Sequence, residues 1–535
     1  MFAVILAAVA AVLAAAAYLF LQRRYSTWKR KGVPGPPASF LSLSVPKVWL
    51  GQESMGDVTD RIYQEYRDCP VAGTYMFGNP LLHLHDPEII KQVLIKEFQD
   101  FSGRGVSTIG KDADPLASHL FFLGGTAWKN LRVKLAPTFT SGKIKYMFET
   151  IRQSSYQLSD YLDERIAAGG GAHCEDARPL MMRLFVDTIS SVAFGIESNV
   201  VKNPQSEFYT AAKKAVEPSV SNALRSLLAM FGREIQQVFQ VRSTNRETTK
   251  FFTEVVRESI EYRENKKIDR PDMLNLLIQL KNRGFVDADK ADKDSTATRQ
   301  EPAGNSIKLT TNDIAAQVFV FFIAGFESSS GSTSFTLYEL AKQPKLLERV
   351  HQEVDQVLAD HDGKITYEAI MSMPYLEMCI NETLRMYAPL PFISREAMVT
   401  RKVPLTELTV EKGTRLLIPV RALHYDPVYW PDPYKYDPER HTPDKKATRP
   451  TAAYLPFGDG PRICIAGRLG MVQVKTALVR LLSKYTVSVG DNEPDKVPIN
   501  PRSFATTPDI PLNVTFRPRR PADGIQKRHQ SVASG

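Results

Sequence analysis

The sequence predicts a mainly α-helical protein with a minor β component, on three observations. Residues 129–280 carry apolar side chains at helical spacing with few breakers. Thr310-Thr311-Asn312-Asp313 opens a further segment that is apolar almost all round, the pattern of a buried helix. Strand-like runs are short and scattered, at 72–77, 81–84, 416–420, 486–489 and 512–516. With 43% hydrophobic and 24% charged residues, the 535-residue chain has ample material for a large core. Length alone suggests several domains, and no internal repeat is present.

Residues 2–21 form an uncharged run of 20 residues rich in Ala, Val and Leu. As a helix this run would span roughly 30 Å, one bilayer core. Arg23, Arg24, Lys29, Arg30 and Lys31 follow, and no basic side chain precedes them, so the positive-inside bias puts the body in the cytoplasm. A cleaved signal peptide fits less well, because its apolar region is only about 7–15 residues long. Residues 1–22 are predicted to be a retained transmembrane anchor, and residues 23–45 a basic and proline-rich linker. Within the linker, Gly32-Val33-Pro34-Gly35-Pro36-Pro37 makes a short, partly stiff connector, and no second proline-rich repeat supports an SH3-type ligand.

Further along, residues 54–66 read as a helix. Asp86-Pro87-Glu88 starts another, with an N-cap acid ahead of a proline. Residues 281–308 are polar and read as a surface loop, and the basic tail 518–535 as disordered. The net charge of +9 and pI near 9.1 raise nucleic-acid binding, yet no zinc-finger spacing, RNP-like run or basic-aromatic stripe accompanies them. Anionic lipid and an acidic protein partner suit the charge better. Cys69, Cys174, Cys379 and Cys464 form no C-x-x-C pair, which fits a reducing compartment.

The segment Phe457-Gly458-Asp459-Gly460-Pro461-Arg462-Ile463-Cys464-Ile465-Ala466-Gly467 carries the chemistry. Gly458, Gly460 and Pro461 break regular structure just before a cysteine, and apolar residues at helical spacing follow it. Arg462 can stabilise the thiol's anion or hold a carboxylate. A thiolate in such a loop, beside a helix N-terminus, is a plausible soft ligand for iron. A lone cysteine is more often a small buried hydrophobe. Here, however, the pattern Phe-x-x-Gly-x-Arg-x-Cys-x-Ala resembles the haem-thiolate signature of the cytochrome P450 family, with Ala466 where many members have Gly. The resemblance covers nearly the whole chain after the N-terminus. It implies the cytochrome P450 fold, one large haem-enclosing domain over residues 46–517, with haem b held by Cys464.

Other segments extend the resemblance. After the apolar helix come Ala324-Gly325-Phe326-Glu327-Ser328-Ser329-Ser330. The chain stays helical beyond, so the polar patch interrupts the helix rather than ending it. Gly325 removes a side chain where a flat ligand could lie close, and Glu327 and Ser328 set an acid beside an alcohol. A serine hydroxyl bonded one turn back would bend the axis there. The segment is similar to the oxygen-binding groove of the family, whose acid–alcohol pair supplies protons, with Ser328 in place of the commoner Thr. Glu382 and Arg385 lie three apart on one helix face and, with Arg440, resemble the family's buried Glu-Arg-Arg network, His441 replacing the usual Phe. This network is assigned to holding the thiolate loop. Trp128 and Arg132, at i and i+4, share a face as two donors aimed at a carboxylate. The resemblance assigns them, with Arg462, Arg395 and Arg104, to the haem propionates, and places Phe457 and Gly325 in contact with the haem.

No competing site is legible. Gly458-x-Gly460 lacks the third glycine and βαβ setting of a dinucleotide fingerprint, and neither a histidine metal box nor a G-x-S-x-G elbow is present. The resemblance therefore implies a monooxygenase of lipophilic small molecules. Its electrons would come from NADPH-cytochrome P450 reductase, docking on the basic face near Cys464, and from cytochrome b5. Residues 315–326 and the Arg104 region are most similar to the clan of insect detoxification and vertebrate drug-metabolising enzymes. That clan implies an endoplasmic reticulum membrane location, with the catalytic domain facing the cytoplasm. Phe319, Phe321 and Phe322 suit an apolar pocket. Two alternatives are a haem-thiolate isomerase or dehydratase, disfavoured by the intact Glu327-Ser328 pair, and a non-enzymatic haem sensor.

Overall fold

The structure is a computed structural model describing residues 2–37, 47–48, 50–76, 78–106, 109–270, 272–283 and 309–519. Helix α1 (Phe2–Tyr25) runs through the predicted anchor and on past Arg23 and Arg24. Apolar side chains along it face outward, among them Phe2 at 78% and Val12 at 68% exposed. Helix α2 (Met55–Glu65) starts on a capping box, in which Ser54 Oγ accepts from the Asp57 N–H and the Asp57 carboxylate accepts from the Ser54 N–H. Strands β1 (Val71–Met76) and β2 (Asn79–Leu84) follow. Helix α3 (Pro87–Lys91) is capped by Asp86, which accepts from the N–H groups of Glu88 and Ile89.

Helices α4 (Gly125–Leu135) and α5 (Ser141–Ala168), strand β3 (His173–Asp176), and helices α6 (Ala177–Ile189) and α7 (Arg246–Lys266) lead to the long helix α8 (Thr311–Lys342). Beyond it lie α9 (Pro374–Met386), β4 (Ile393–Glu396), β5 (Arg415–Ile418), α10 (Gly467–Lys484), β6 (Tyr485–Ser488) and β7 (Asn513–Pro518). One sheet has the order β1-β2-β5-β4, in which only β2 and β5 run parallel. A second is antiparallel, in the order β3-β7-β6, and a third is a two-stranded antiparallel pair, Arg401–Lys402 with Thr409–Val410.

Helix α8 threads the main core, packed against α6, α7, α9 and α10. It starts where predicted, on a capping box of Thr310 with Asp313. Deep in the core, Ser332, Thr333, Ser334 and Thr336 each donate to the carbonyl four residues back. Those bonds satisfy hydroxyls that would otherwise be costly to bury.

The predicted helices and strands are present, with instructive departures. The run at 416–420 is strand only to Ile418, because Pro419 lacks an N–H for the ladder, and a short helix, Val420–His424, begins there. Strand β3 interrupts the long helical stretch, and its last residue, Asp176, caps α6 by accepting from the Arg178 N–H. A strand this short shows no alternation that periodicity can detect. Residues 281–283 belong to the helix Met273–Arg283, not to the expected loop. The rest of that loop, much of the linker and nearly all of the tail lie outside the described residues.

Candidate active site

The loop before α10 turns on two glycines with φ of +72° and +70°, Gly458 and Gly460. A side chain at Gly460 would also collide with the Leu94 carbonyl, 1.9 Å from where its Cβ would sit. The loop closes when the Cys464 N–H donates to the Phe457 carbonyl at 2.9 Å. Cys464 is exposed, yet crowding by the surrounding protein raises its thiol pKa, opposed by the Ala466 N–H and by the charges of Arg132 and Arg104. A side chain both exposed and crowded lines an internal hollow. Helix α8 shows the same signature, because Ala324 is exposed in the middle of an otherwise buried helix. Close-packed interiors leave no such surface without a space beside it. The Ser329 hydroxyl donates to Gln473 Oε1 of α10 at 3.0 Å, which sets α8 beside the helix the cysteine loop leads into.

Three guanidinium groups crowd one another near the cysteine loop. Arg462 Nε donates to the Ser102 carbonyl at 2.7 Å and Nη2 to the Leu123 carbonyl at 2.6 Å, while Nη1 is buried without a partner. Arg395, on β4 and 1% exposed, and Arg104 each have a buried Nε without a partner. Burial, then repulsion from Arg104 and Arg132, pulls the Arg462 pKa down to about 8. Burial, then the charges of Arg104 and Arg462, lowers that of Arg395 as well. Among the described residues no carboxylate pairs with any of the three. Burying guanidinium charge without a counter-charge is costly, so the cluster calls for an anion.

Helix α4 grips the same loop. The Trp128 ring lies 4.3 Å from the Arg462 guanidinium, and Arg132 Nη2 donates to the Ile463 carbonyl at 2.9 Å. The two residues share a face as predicted, and they meet the cysteine loop at consecutive residues, Trp128 at Arg462 and Arg132 at the Ile463 carbonyl.

Comparison with known proteins decides the family. The cytochrome P450 family model matches residues 33–515. Cytochrome P450 6k1 of Blattella germanica is 39% identical over 506 residues, covering 94% of this chain and 95% of the relative. Cytochrome P450 6a2 of Drosophila melanogaster is 36% identical, covering 91% and 94%, and cytochrome P450 6d3 of Musca domestica is 36% identical, covering 89% and 92%. The chain belongs to the cytochrome P450 family.

This cytochrome P450 is a haem-thiolate monooxygenase that binds haem b. The residues present fit that cofactor. A thiol faces a hollow, and three unpaired guanidinium groups stand where an anionic group is needed. Cys464 would hold the iron, whose charge would draw off the thiol proton. Arg104, Arg395 and Arg462 would hold the propionates.

Two expectations are corrected. Gly325 does not make room for a flat ligand on its open side, because a Cβ there would come within 2.8 Å of Ile189, so this glycine lets α6 pack closely on α8. Exposed Ala324 faces the hollow instead. Nor are the phenylalanines of α8 among the residues that wall the pocket beside Arg104. Phe319 and Phe322 are buried among Phe194, Phe208 and Phe252, and Phe321 packs on Phe139. A helix apolar all round does not reveal which face it turns to a ligand. The pocket beside Arg104 is walled by Phe121, Met230, Leu390, Phe392 and Phe504.

The acid–alcohol pair is split between two environments. Ser328 Oγ donates to the Ala324 carbonyl at 2.7 Å, one turn back as predicted. Glu327 Oε1 accepts from Arg178 Nη2 of α6 at 2.5 Å, and its Oε2 is buried without a partner. Arg178 also bonds to Ser330. No spacing rule could have found Arg178, 149 residues away from Glu327.

The Glu382 network lies wholly inside. Glu382 and Arg385 are fully buried and joined by two bonds, at 2.8 and 2.9 Å. Arg440 Nε stands 3.3 Å from Glu382 Oε1, and the Asp437 N–H donates to the same oxygen at 2.9 Å. His441, noted in the sequence only as a substitution, lies 3.0 Å from Glu382 Oε2 through Nε2, a further donor. Burial pushes the Glu382 carboxyl upward, but the bonds and charges of His441 and Arg385 outweigh it, and the pKa falls to about 2. His424, which sequence reasoning missed, carries the connection onward. Its Nδ1 faces the Arg385 carbonyl at 3.0 Å and must donate, leaving Nε2 to accept from the Leu455 N–H at 2.9 Å. Leu455 lies two residues before Phe457, so α9 is tied to the start of the cysteine loop.

Proposed function

We propose that this cytochrome P450 works at the cytoplasmic face of the endoplasmic reticulum membrane, held by residues 1–22 and the linker 23–45. One catalytic domain, residues 46–517, takes electrons from NADPH-cytochrome P450 reductase, with cytochrome b5 as a second donor. The apolar, outward-facing α1 and the basic residues after it support the anchor. Exposed Lys129, next to Trp128 on α4, and exposed Arg468, just past the cysteine loop, support docking of an acidic reductase on this face. Substrates are lipophilic xenobiotics or lipids that fit between Phe121, Phe392 and Phe504.

The observation that carries this reading is the exposed thiol of Cys464, facing a hollow beside three unpaired guanidinium groups. Bound haem supplies the activation of dioxygen, a chemistry no side chain here provides. The protein's part is orientation and proton handling. Ser328 Oγ keeps its proton on the Ala324 carbonyl until needed. Giving up that bond costs about 1 kcal/mol, so the hydroxyl can turn and donate into the hollow. Glu327 Oε2 would take a proton from solvent water and pass it to the Ser328 hydroxyl, while Arg178 on Oε1 keeps the carboxylate oriented.

The test uses enzyme reconstituted with NADPH and the reductase. The reduced wild type with carbon monoxide is expected to show the Soret band of thiolate ligation. Ser328→Ala should keep that band but release more NADPH-derived electrons as hydrogen peroxide. An equal peroxide yield would remove Ser328 from the proton path, and absence of the thiolate band in the wild type would remove the whole reading. Deleting residues 1–22 should move the protein from the membrane pellet to the supernatant, and retention in the pellet would refute the anchor.

A further inference from the structure

One buried polar side chain on α8 has no part in the chemistry above. Gln317 is 1% exposed and turns its amide outward from the helix onto the segment that follows Pro115–Ala117. Its Oε1 accepts from the Leu120 N–H at 2.9 Å, and its Nε2 donates to the Ser118 carbonyl at 3.1 Å and to the Asp313 carbonyl at 3.1 Å. The orientation is unambiguous, because the flipped amide would set its NH2 against an N–H and its oxygen against two carbonyls. Gln317 thus pairs with the backbone on both sides of His119, much as a neighbouring strand would.

The residue after Leu120 is Phe121, which walls the pocket and stacks under the Arg104 guanidinium at 4.1 Å. Two residues further, the Leu123 carbonyl accepts from Arg462 at 2.6 Å. Residues 118–123 are therefore moored twice, to α8 by Gln317 and to the cysteine loop by Arg462. Phe121 hangs between the moorings. We propose that Gln317 is a specificity-positioning residue, whose two-point clamp on Ser118 and Leu120 sets where Phe121 stands in the substrate pocket.

The argument is one of unsatisfied groups. Without the Gln317 amide, the Ser118 carbonyl and the buried Leu120 N–H lose their partner together. Buried backbone groups do not stay unpaired, so the segment must shift until they find water or another partner. The Arg462 mooring stays in place. Movement then concentrates at Phe121, and the pocket changes shape while iron ligation does not.

The test compares Gln317→Met, of equal length without hydrogen bonds, with Gln317→Glu, which keeps an acceptor for the Leu120 N–H. Each haem-loaded protein is titrated with imidazole and with 4-phenylimidazole, reading the Soret shift. Amide hydrogen exchange is followed over residues 116–123. In Gln317→Met the carbon monoxide band and the imidazole Kd should stay unchanged. The ratio of the two Kd values should move by about fivefold or more, in the range a reshaped apolar pocket produces. Exchange at Leu120 should speed by about tenfold, and Gln317→Glu should lie between Gln317→Met and wild type in both readouts. Faster exchange with an unchanged Kd ratio would overturn the proposal, as would an unchanged exchange rate. Parallel loss of the thiolate band and of both affinities would also overturn it, by showing that Gln317 merely holds the fold.

Discussion

Glu382→Gln removes the charge at the centre of the buried network while keeping its shape. Two lines of reasoning set the size of the effect. The carboxyl pKa falls from the ordinary 4.5 to about 2 on folding, a difference equivalent to about 3 kcal/mol of stability near neutral pH. Independently, deleting one partner of a buried ion pair costs about 3–5 kcal/mol, because the surviving charge, here Arg385, keeps its burial and loses its counter-ion. A depressed carboxyl pKa contributes stability that is complete above the unfolded value. It is lost as pH falls through the folded value. The wild type should therefore weaken between pH 4.5 and about 2, and the variant should weaken less over that window. The assay is urea unfolding of the haem-loaded protein at pH 7 and below, followed by far-UV circular dichroism and by survival of the thiolate-ligated carbon monoxide band. The thiolate band should fail first in the variant, since the network reaches the cysteine loop through His424 and Leu455. An unfolding midpoint matching wild type at pH 7, or an unchanged acid slope, would refute the reasoning.

The remaining predictions concern the iron ligand, the guanidinium cluster and a helix start. Cys464→Ala should fold, as judged by circular dichroism, yet give no thiolate-type carbon monoxide band; a band at the wild-type position would mean that another residue ligates the iron. Arg462→Leu removes a propionate partner and two backbone bonds, so haem transfer to apomyoglobin should speed by about tenfold or more, and an unchanged rate would place the propionates elsewhere. Thr310→Ala breaks the capping box of α8 and should cost about 1 kcal/mol in urea unfolding without moving the carbon monoxide band. A loss under a few tenths would show that core packing alone holds the start of that helix.

What the sequence by itself determined is local. The caps at Asp86 and Thr310, the glycine turn before Cys464, the back-bonded Ser328 and the Glu382–Arg385 pair all stand as expected. Apart from the turn, each joins residues two to four apart, and at that range backbone geometry alone sets the distances. What only the tertiary structure decided is which surfaces meet. Arg178 holds Glu327, Ile189 fills the space at Gly325, and the phenylalanines of α8 turn into the core while Phe121, Phe392 and Phe504 make the pocket. His424 and His441 were single histidines without a pattern until the chain brought them to Arg385 and Glu382. Those pairings depend on how helices cross and how loops return over separations from 39 to 149 residues, and a side chain's spacing from its own neighbours holds no record of that.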